Sequence, residues 1–269
     1  MHKKWKTGIV VMAILVITLV VTFQVMNKHE EPYLSFSVDD ATDVLKEIQT
    51  NEYESIFDCW KLQELRQLHE QYGCSFRLYL FENLDEFNVS DMSDKYRKEF
   101  EENADWLKFG FHWVDEGFPE EEQYTEEEIE ASYLRTKNAI LTFAGEESLA
   151  EDLRIHCWYG SPAFLHFLKE QGITTLYYPD NDTIGYGFTE KDDGLIRKSA
   201  DGKMTRKLRY LKTDIRLENC ENIETALQQR QELQDHKIII FTHSAYLPQT
   251  FQMFGEACEW AQSNGYQID

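Results

Sequence analysis

Leu34-Ser35-Phe36-Ser37-Val38-Asp39-Asp40 is a short apolar run that ends on two adjacent carboxylates. Neighbouring side chains at a strand end point in different directions, so an Asp-Asp pair there can divide two tasks, holding a metal and moving a proton. Working outward, five other runs end on residues fit for chemistry. Phe76 to Phe81 meets Glu82, Trp106 to Phe111 meets His112, and Leu153 to Ile155 meets His156; Thr174 to Tyr178 meets Pro179-Asp180, and Lys237 to Phe241 meets Thr242-His243. If these runs are parallel strands, all of those groups gather at one rim.

Helical stretches separate the runs. Leu62 to Tyr72 places Leu62, Leu65, Leu68 and His69 on one face and stops at Gly73. Asp94 to Ala104 and Glu126 to Ala144 read as the next two helices. Ser161-Pro162 starts another as an N-cap followed by proline at the first position, and it runs to Gly172. Asn222 to Leu233 and Pro248 to Asn264 complete the set, whereas Ala41 to Phe57 reads as mixed polar sequence. From Asp180 to Glu218 the glycines Gly185, Gly187, Gly194 and Gly202 suggest turns, and Lys207 to Leu217 suggests one or two strands in a hairpin excursion. Strands alternating with helices imply parallel pairing through right-handed crossovers. Six or seven such units favour an α/β fold closed into a barrel, whose functional groups lie at the carboxyl ends of the strands.

The first residues have a different character. Gly8 to Met26 is apolar apart from Thr18, Thr22 and Gln24, and as a helix it would span about 28 Å, enough to cross a bilayer. Lys3, Lys4 and Lys6 precede it, and no small-x-small cleavage site stands out. The expectation is a cytoplasmic tail (1–7), a transmembrane signal anchor (8–26), a stalk (27–33) and an extracellular domain (34–269) on a single-pass protein of the cell membrane. A cleaved signal peptide is the rival, and it too exports the domain. About 235 residues then remain, comfortable for one α/β barrel. The formal net charge of -22 excludes nucleic-acid binding, which needs clustered Lys and Arg. Glu120-Glu121-Glu122 and Glu126-Glu127-Glu128 lack the alternating spacing of a calcium cage and read as a solvated approach to a helix. The five cysteines are widely spaced and offer no zinc-ribbon pattern. Cys59 and Cys74 bracket one helix, which sets them too far apart for a disulfide; Cys157 reads as a small buried hydrophobe.

Asp39, Asp40, His112, Glu116, His156 and His243 are a mixture of imidazole and carboxylate that suits a divalent cation such as Zn²⁺. Each has a plain structural reading beside the functional one. An Asp-Asp pair after a strand is often a turn or a cap, and His112 and His243 each suit a hydrogen-bonded core histidine. His156 sits among Trp158 and Tyr159, where packing competes. The argument for a site is their shared position at strand ends.

These residues also match a family. Phe36-Ser37-Val38-Asp39-Asp40 resembles the first motif of the polysaccharide deacetylases, Gly110-Phe111-His112 with Glu116 resembles their histidine motif, and Phe241-Thr242-His243 resembles their last one. The resemblance spans roughly Leu34 to Ile268. It implies a distorted (β/α)7 barrel with Asp39 as catalytic base, Asp40 and His112 as metal ligands, and His243 as general acid toward the leaving group. It further implies metal-dependent removal of acetyl groups from a carbohydrate. Three departures mark a divergent branch. The second histidine of the motif is Glu116, so either Glu116 or His156 supplies the missing ligand. The glycine after the aspartates is Ala41, and the arginine that steadies the base is echoed only by Arg154. The leading expectation is therefore a membrane-anchored deacetylase of an envelope glycan, with Trp113, Trp158, Tyr159, Tyr177 and Tyr178 as candidate sugar-stacking walls. The alternatives are a non-catalytic glycan-binding pseudoenzyme on the same barrel, and a glycosidase using two carboxylates such as Asp40 and Glu116.

Overall fold

Strict alternation in the first strand sets the layers. In β1 (Tyr33–Asp39) Leu34, Phe36 and Val38 point one way and Ser35, Ser37 and Asp39 the other, and all six are buried. The structure, a computed structural model, describes residues 31–118, 123–199 and 202–269. Gly8–Met26, the expected anchor, lies outside the described residues. Among the described residues no helix is long and apolar enough to cross a membrane.

The strands follow as β2 (Phe76–Phe81), the hairpin β3 (Asn83–Leu84) and β4 (Phe87–Asn88), β5 (Leu107–Trp113), β6 (Asp152–Leu153) and β7 (Thr175–Tyr178). Then come β8 (Lys203–Thr205), β9 (Leu208–Lys212), β10 (Ile215–Arg216), β11 (Lys237–His243) and β12 (Gln267–Ile268). One sheet runs β10-β11-β1-β2-β5 with β12 also on β1, and another runs β6-β7-β9-β8. Every pairing is parallel except the β3-β4 and β8-β9 hairpins.

Two bridges join these sheets into a distorted barrel. On one side Ala150 N–H donates to Phe109 O at 2.9 Å, tying the residues before β6 to β5. On the other, the segment from β9 to β10 changes partner: Thr213 N–H donates to Tyr178 O at 3.0 Å and Asp214 N–H to Ile239 O at 2.9 Å. The ring of staves is thus β1, β2, β5, β6, β7, β9 continued by β10, and β11. Leu34, Phe36, Val38, Phe76, Leu78, Ile238 and Ile240 pack outward against the helices Thr42–Thr50, Trp60–Tyr72 and Leu247–Asn264. Tyr79, Phe81, Phe111, Leu153, Leu176 and Ile239 form a second core. The small inward face Ser35-Ser37-Asp39 leaves room for arginines inside the barrel, where Arg77 pairs with Asp152 at 2.9 Å.

Several expected elements stand where the sequence places them. Gly73 ends the Trp60–Tyr72 helix in a left-handed conformation (φ 76°), and Ser161 Oγ caps Pro162–Glu170 by accepting from Phe164 N–H at 3.1 Å. Others differ. Ala41 to Phe57 contains a helix, Thr42–Thr50, whose buried Val44, Leu45 and Ile48 continue from Ala41 at helical spacing among polar residues. The stretch read as turns contains the helix Glu190–Arg197, initiated by a Thr189/Asp192 capping box despite Gly194 within it. The expected helix over Asp94 to Ala104 is a 3₁₀ turn, Asp94–Tyr96, followed by a short helix, Arg97–Glu102. The five cysteines are free thiols.

Candidate metal and acid-base centre

The rim begins where β1 stops. Asp40 takes a left-handed backbone (φ 58°), which turns the chain sharply, and Thr42 then opens a helix with its Oγ1 donating to Phe81 O at 2.9 Å. A non-glycine residue held at that φ is a conformation that the surrounding structure must impose. The turn sends the two aspartates in different directions.

Asp39 goes inward. Its Oδ1 accepts from Arg154 Nη1 at 2.8 Å, and the same nitrogen reaches Ser37 Oγ at 2.7 Å. Both ionic side chains are buried, Asp39 with 2% and Arg154 with 1% of its surface exposed. Such a pair is stable only because each charge has the other, and removing one member would strand a buried ion. The guanidinium also lies over the Phe241 ring, 4.2 Å from its centroid. Arg154 is therefore a full partner of Asp39.

Asp40 meets two imidazoles. In β5 the register to β2 slips: Leu80 pairs with Phe111 but Phe81 pairs with Trp113, which leaves His112 as the extra residue of a bulge. Bulges re-aim side chains beside active sites. The sequence expects the strand to end at Phe111; it continues to Trp113 with His112 turned into the rim. His112 Nδ1 donates to Arg154 O at 2.6 Å, which leaves Nε2 to act as a ligand. That Nε2 lies 3.2 Å from Asp40 Oδ1 and 3.2 Å from His156 Nδ1. His156 follows β6, and the next two residues, Cys157 and Trp158, both have positive φ (50° and 52°).

One ligand atom from each of Asp40, His112 and His156 lies within 4.8 Å of the others. A tetrahedral ion with ligands at about 2.0–2.1 Å holds its donors about 3.3 Å apart, so the 3.2 Å contacts fit one. Asp40 Oδ1 is buried and lacks an aligned hydrogen-bond donor despite its nearness to His112, as expected of an oxygen meant for a cation. The protonation states agree. Burial, followed by the neighbouring His112, lowers His156 to about 4, so its ring is neutral and can ligate. Burial would raise Asp40, but the neighbouring imidazoles, His112 foremost, outweigh it and hold the carboxyl below its usual range.

The parallel register sets Asp39 beside His243 on β11. His243 Nδ1 is hydrogen-bonded to Glu218 Oε1, and Thr242 Oγ1 donates to Glu218 Oε2 at 2.9 Å. Burial would lower His243; the bond to Glu218 and the charges of Asp39, Asp40 and Glu218 overcome it and raise the imidazole above its ordinary value. Nε2 is left for chemistry. A cavity of about 300 Å³ is lined by Asp39, His112, His156 and His243, with Phe118, Trp158 and Arg216 among its walls.

Two solved structures share this architecture. A peptidoglycan N-acetylglucosamine deacetylase, crystallised with 4-naphthalen-1-yl-N-oxidanyl-benzamide, superposes with a TM-score of 0.52 at 10% identity over 90% of this chain and 86% of its own. A family 4 carbohydrate esterase from Streptomyces lividans, in complex with acetate, gives 0.51 at 12% identity over 88% of this chain and 91% of its own. The chain has the polysaccharide deacetylase fold. No family model matches it, and no curated protein matches it.

On that deacetylase fold, Asp39, Asp40, His112, His156 and His243 come together as expected, and Glu116 does not. Asp115 Oδ1 accepts from Gly117 N–H at 2.9 Å, and this tight turn leaves Glu116 exposed and outside the cavity. His156 completes the cluster in its place, and the two-carboxylate pairing of Asp40 with Glu116 is absent. Glu82 and Asp180 also leave the constellation, Glu82 in a fork with Arg135 and Asp180 in one with Arg216. Of the expected sugar-stacking aromatics, Trp113, Tyr177 and Tyr178 are buried in the core and Trp158 faces the cavity. Cys157 is half-buried and lines the cavity, not the core. Glu218 was missed by the sequence reading: its one signal, a carboxylate just after a short strand, lies in the stretch crowded with turn residues.

Proposed function

We propose that this chain is a divergent polysaccharide deacetylase, a metal-dependent hydrolase that removes acetyl groups from a cell-envelope or extracellular glycan. The observation that carries the reading is a trio of converging ligand atoms beside a cavity lined by a carboxylate tied to a buried arginine and an imidazole tied to a carboxylate. Asp40, His112 and His156 are the residues to hold a divalent cation, and their mixture of oxygen and nitrogen donors suits Zn²⁺. When bound, the cation supplies Lewis acidity, which polarises an acyl carbonyl and eases deprotonation of a water.

The chain's own groups do the rest. Asp39, fixed by Arg154, takes the proton from the attacking water. His243, kept protonated by Glu218, gives a proton from Nε2 to the departing nitrogen or oxygen as its bond to the acyl carbon breaks. Acetate and the free amine or alcohol of the sugar are the products. Phe118 and Trp158 flank the cavity with apolar surface. The run Gly8–Met26 anchors the protein, with the barrel outside the membrane and close to the glycan.

Acetate release tests this reading. The full chain loaded with Zn²⁺ releases acetate from N-acetylglucosamine oligomers or an O-acetylated polysaccharide without forming new reducing ends. Glycan binding without acetate release would assign a non-catalytic role, and new reducing ends would assign a glycosidase.

A further inference from the structure

A second cavity lies away from the acid-base centre. A groove of about 780 Å³ runs between the helices Trp60–Tyr72 and Leu247–Asn264. Both helices start at the rim: Lys61 Nζ donates to Ser244 Oγ at 2.9 Å, and Ser244 follows His243. From Trp60 to Tyr72 the groove extends about 18 Å down the side of the barrel. Its size is that of a ligand site, for which about 300–1,000 Å³ is usual.

Its lining has a definite chemistry. Trp60 is 39% exposed and meets Phe251 edge-on, with ring centroids 5.6 Å apart. Glu64, Glu256 and Glu259 line the same groove, and none of its lining residues is Lys or Arg. Tyr72 OH donates to Glu259 Oε1 at 2.9 Å and Gln252 Nε2 to Glu256 Oε1 at 2.7 Å, which holds two of the carboxylates in place over the groove. The floor includes Gly255, a glycine inside a helix, where it costs about 1 kcal/mol relative to alanine. A Cβ there would meet only ordinary contacts, the nearest Leu68 Cδ2 at 3.7 Å. Packing does not demand this glycine; its effect is to keep the groove deep.

We infer that the groove binds a cationic amino-sugar chain, the de-acetylated glucosamine oligomer, and so retains the product strand as it leaves the rim. The inference rests on the deacetylase reading and narrows it to N-acetylated glycans. Aromatic faces accept both the apolar face of a sugar ring and an ammonium. Three carboxylates complement the free amines that de-acetylation creates, and a neutral N-acetylated chain gains nothing from them.

Glucosamine tetramer, its fully N-acetylated counterpart and tetralysine are titrated against the purified full chain by calorimetry. Acetate release from a monomeric acetyl ester is assayed in parallel. The expected result is binding of the glucosamine tetramer alone. In the Glu64→Gln/Glu256→Gln/Glu259→Gln variant, whose substitutions line the groove and none of which is buried, binding weakens at least about tenfold while acetate release is unchanged. Absence of glucosamine binding, or equal binding of tetralysine, overturns the inference. Loss of acetate release from the wild-type chain with groove binding intact instead overturns the deacetylase reading alone.

Discussion

The two arcs of the barrel are built differently, and the site is divided between them. On β11, β1, β2 and β5 the strands are six or seven residues long and pair in ladders of three to seven residues, broken by the bulge at His112. On β6, β7, β9 and β10 they have two to five residues and meet the first arc through an isolated bridge before β6 on one side and the short β10-β11 ladder on the other. The long arc supplies Asp39, Asp40, His112 and His243; the short arc and its loops supply Arg154, His156 and Glu218. Three of the four long-arc groups have a short-arc partner, Arg154 on Asp39, His156 beside His112 and Glu218 on His243, and Asp40 meets His112. The long strands, with a bulge at His112, place these groups, and the short arc sets the charge and orientation of Asp39 and His243.

That division makes stability depend on the short arc, most strongly at Arg154. Arg154→Met leaves Asp39 as a buried charge without a partner, and chemical denaturation should show a loss of about 3–5 kcal/mol. Asp39 and Arg154 are each almost wholly inaccessible, so solvent screening does not reduce this figure. A loss within experimental error would mean that the arcs are energetically independent and would break the comparison. Where the arcs meet, a Cβ on Gly110 of β5 would come within 2.6 Å of Leu153 Cδ2 and 2.9 Å of Tyr79 Cδ1. Gly110→Ala should cost about 1–3 kcal/mol in the same assay, as overpacking does. A neutral effect would show that the junction is slack.

Glu218→Gln probes the electrostatic partnership with a smaller effect. If His243 is the general acid proposed above, it must be protonated, so activity would fall as pH rises through its pKa, which Glu218 holds up. Removing the carboxylate should therefore move the alkaline limb of kcat/KM to lower pH, and at any pH above the limb the acid form should become about tenfold scarcer for every pH unit the limb moves. An unmoved limb would detach Glu218 from the chemistry.

The same contrast explains what could be read from the sequence. Asp39, His112 and His243 follow long runs of buried residues, where the strand pattern is continuous. Arg154 and His156 follow a two-residue strand, too short for any period, so the arginine was visible only as an echo. Glu218 lay among turn-forming residues. Glu116 misled because a ligand four residues after His112 needs a regular turn, whereas the bulge at His112 and the Asp115 turn carry it outward. The helix Thr42–Thr50 was legible in the spacing of Ala41, Val44, Leu45 and Ile48, but the polar residues between them masked it.

The central claim is that the long arc's Asp40 and His112 need His156 from the short arc to hold one ion. Metal content of the purified chain, measured by mass spectrometry after equilibration with limiting Zn²⁺, tests it directly. The account predicts about one ion per chain for the wild type and for Glu116→Ala, and none retained by His156→Ala. Retention in His156→Ala together with loss in Glu116→Ala would contradict it.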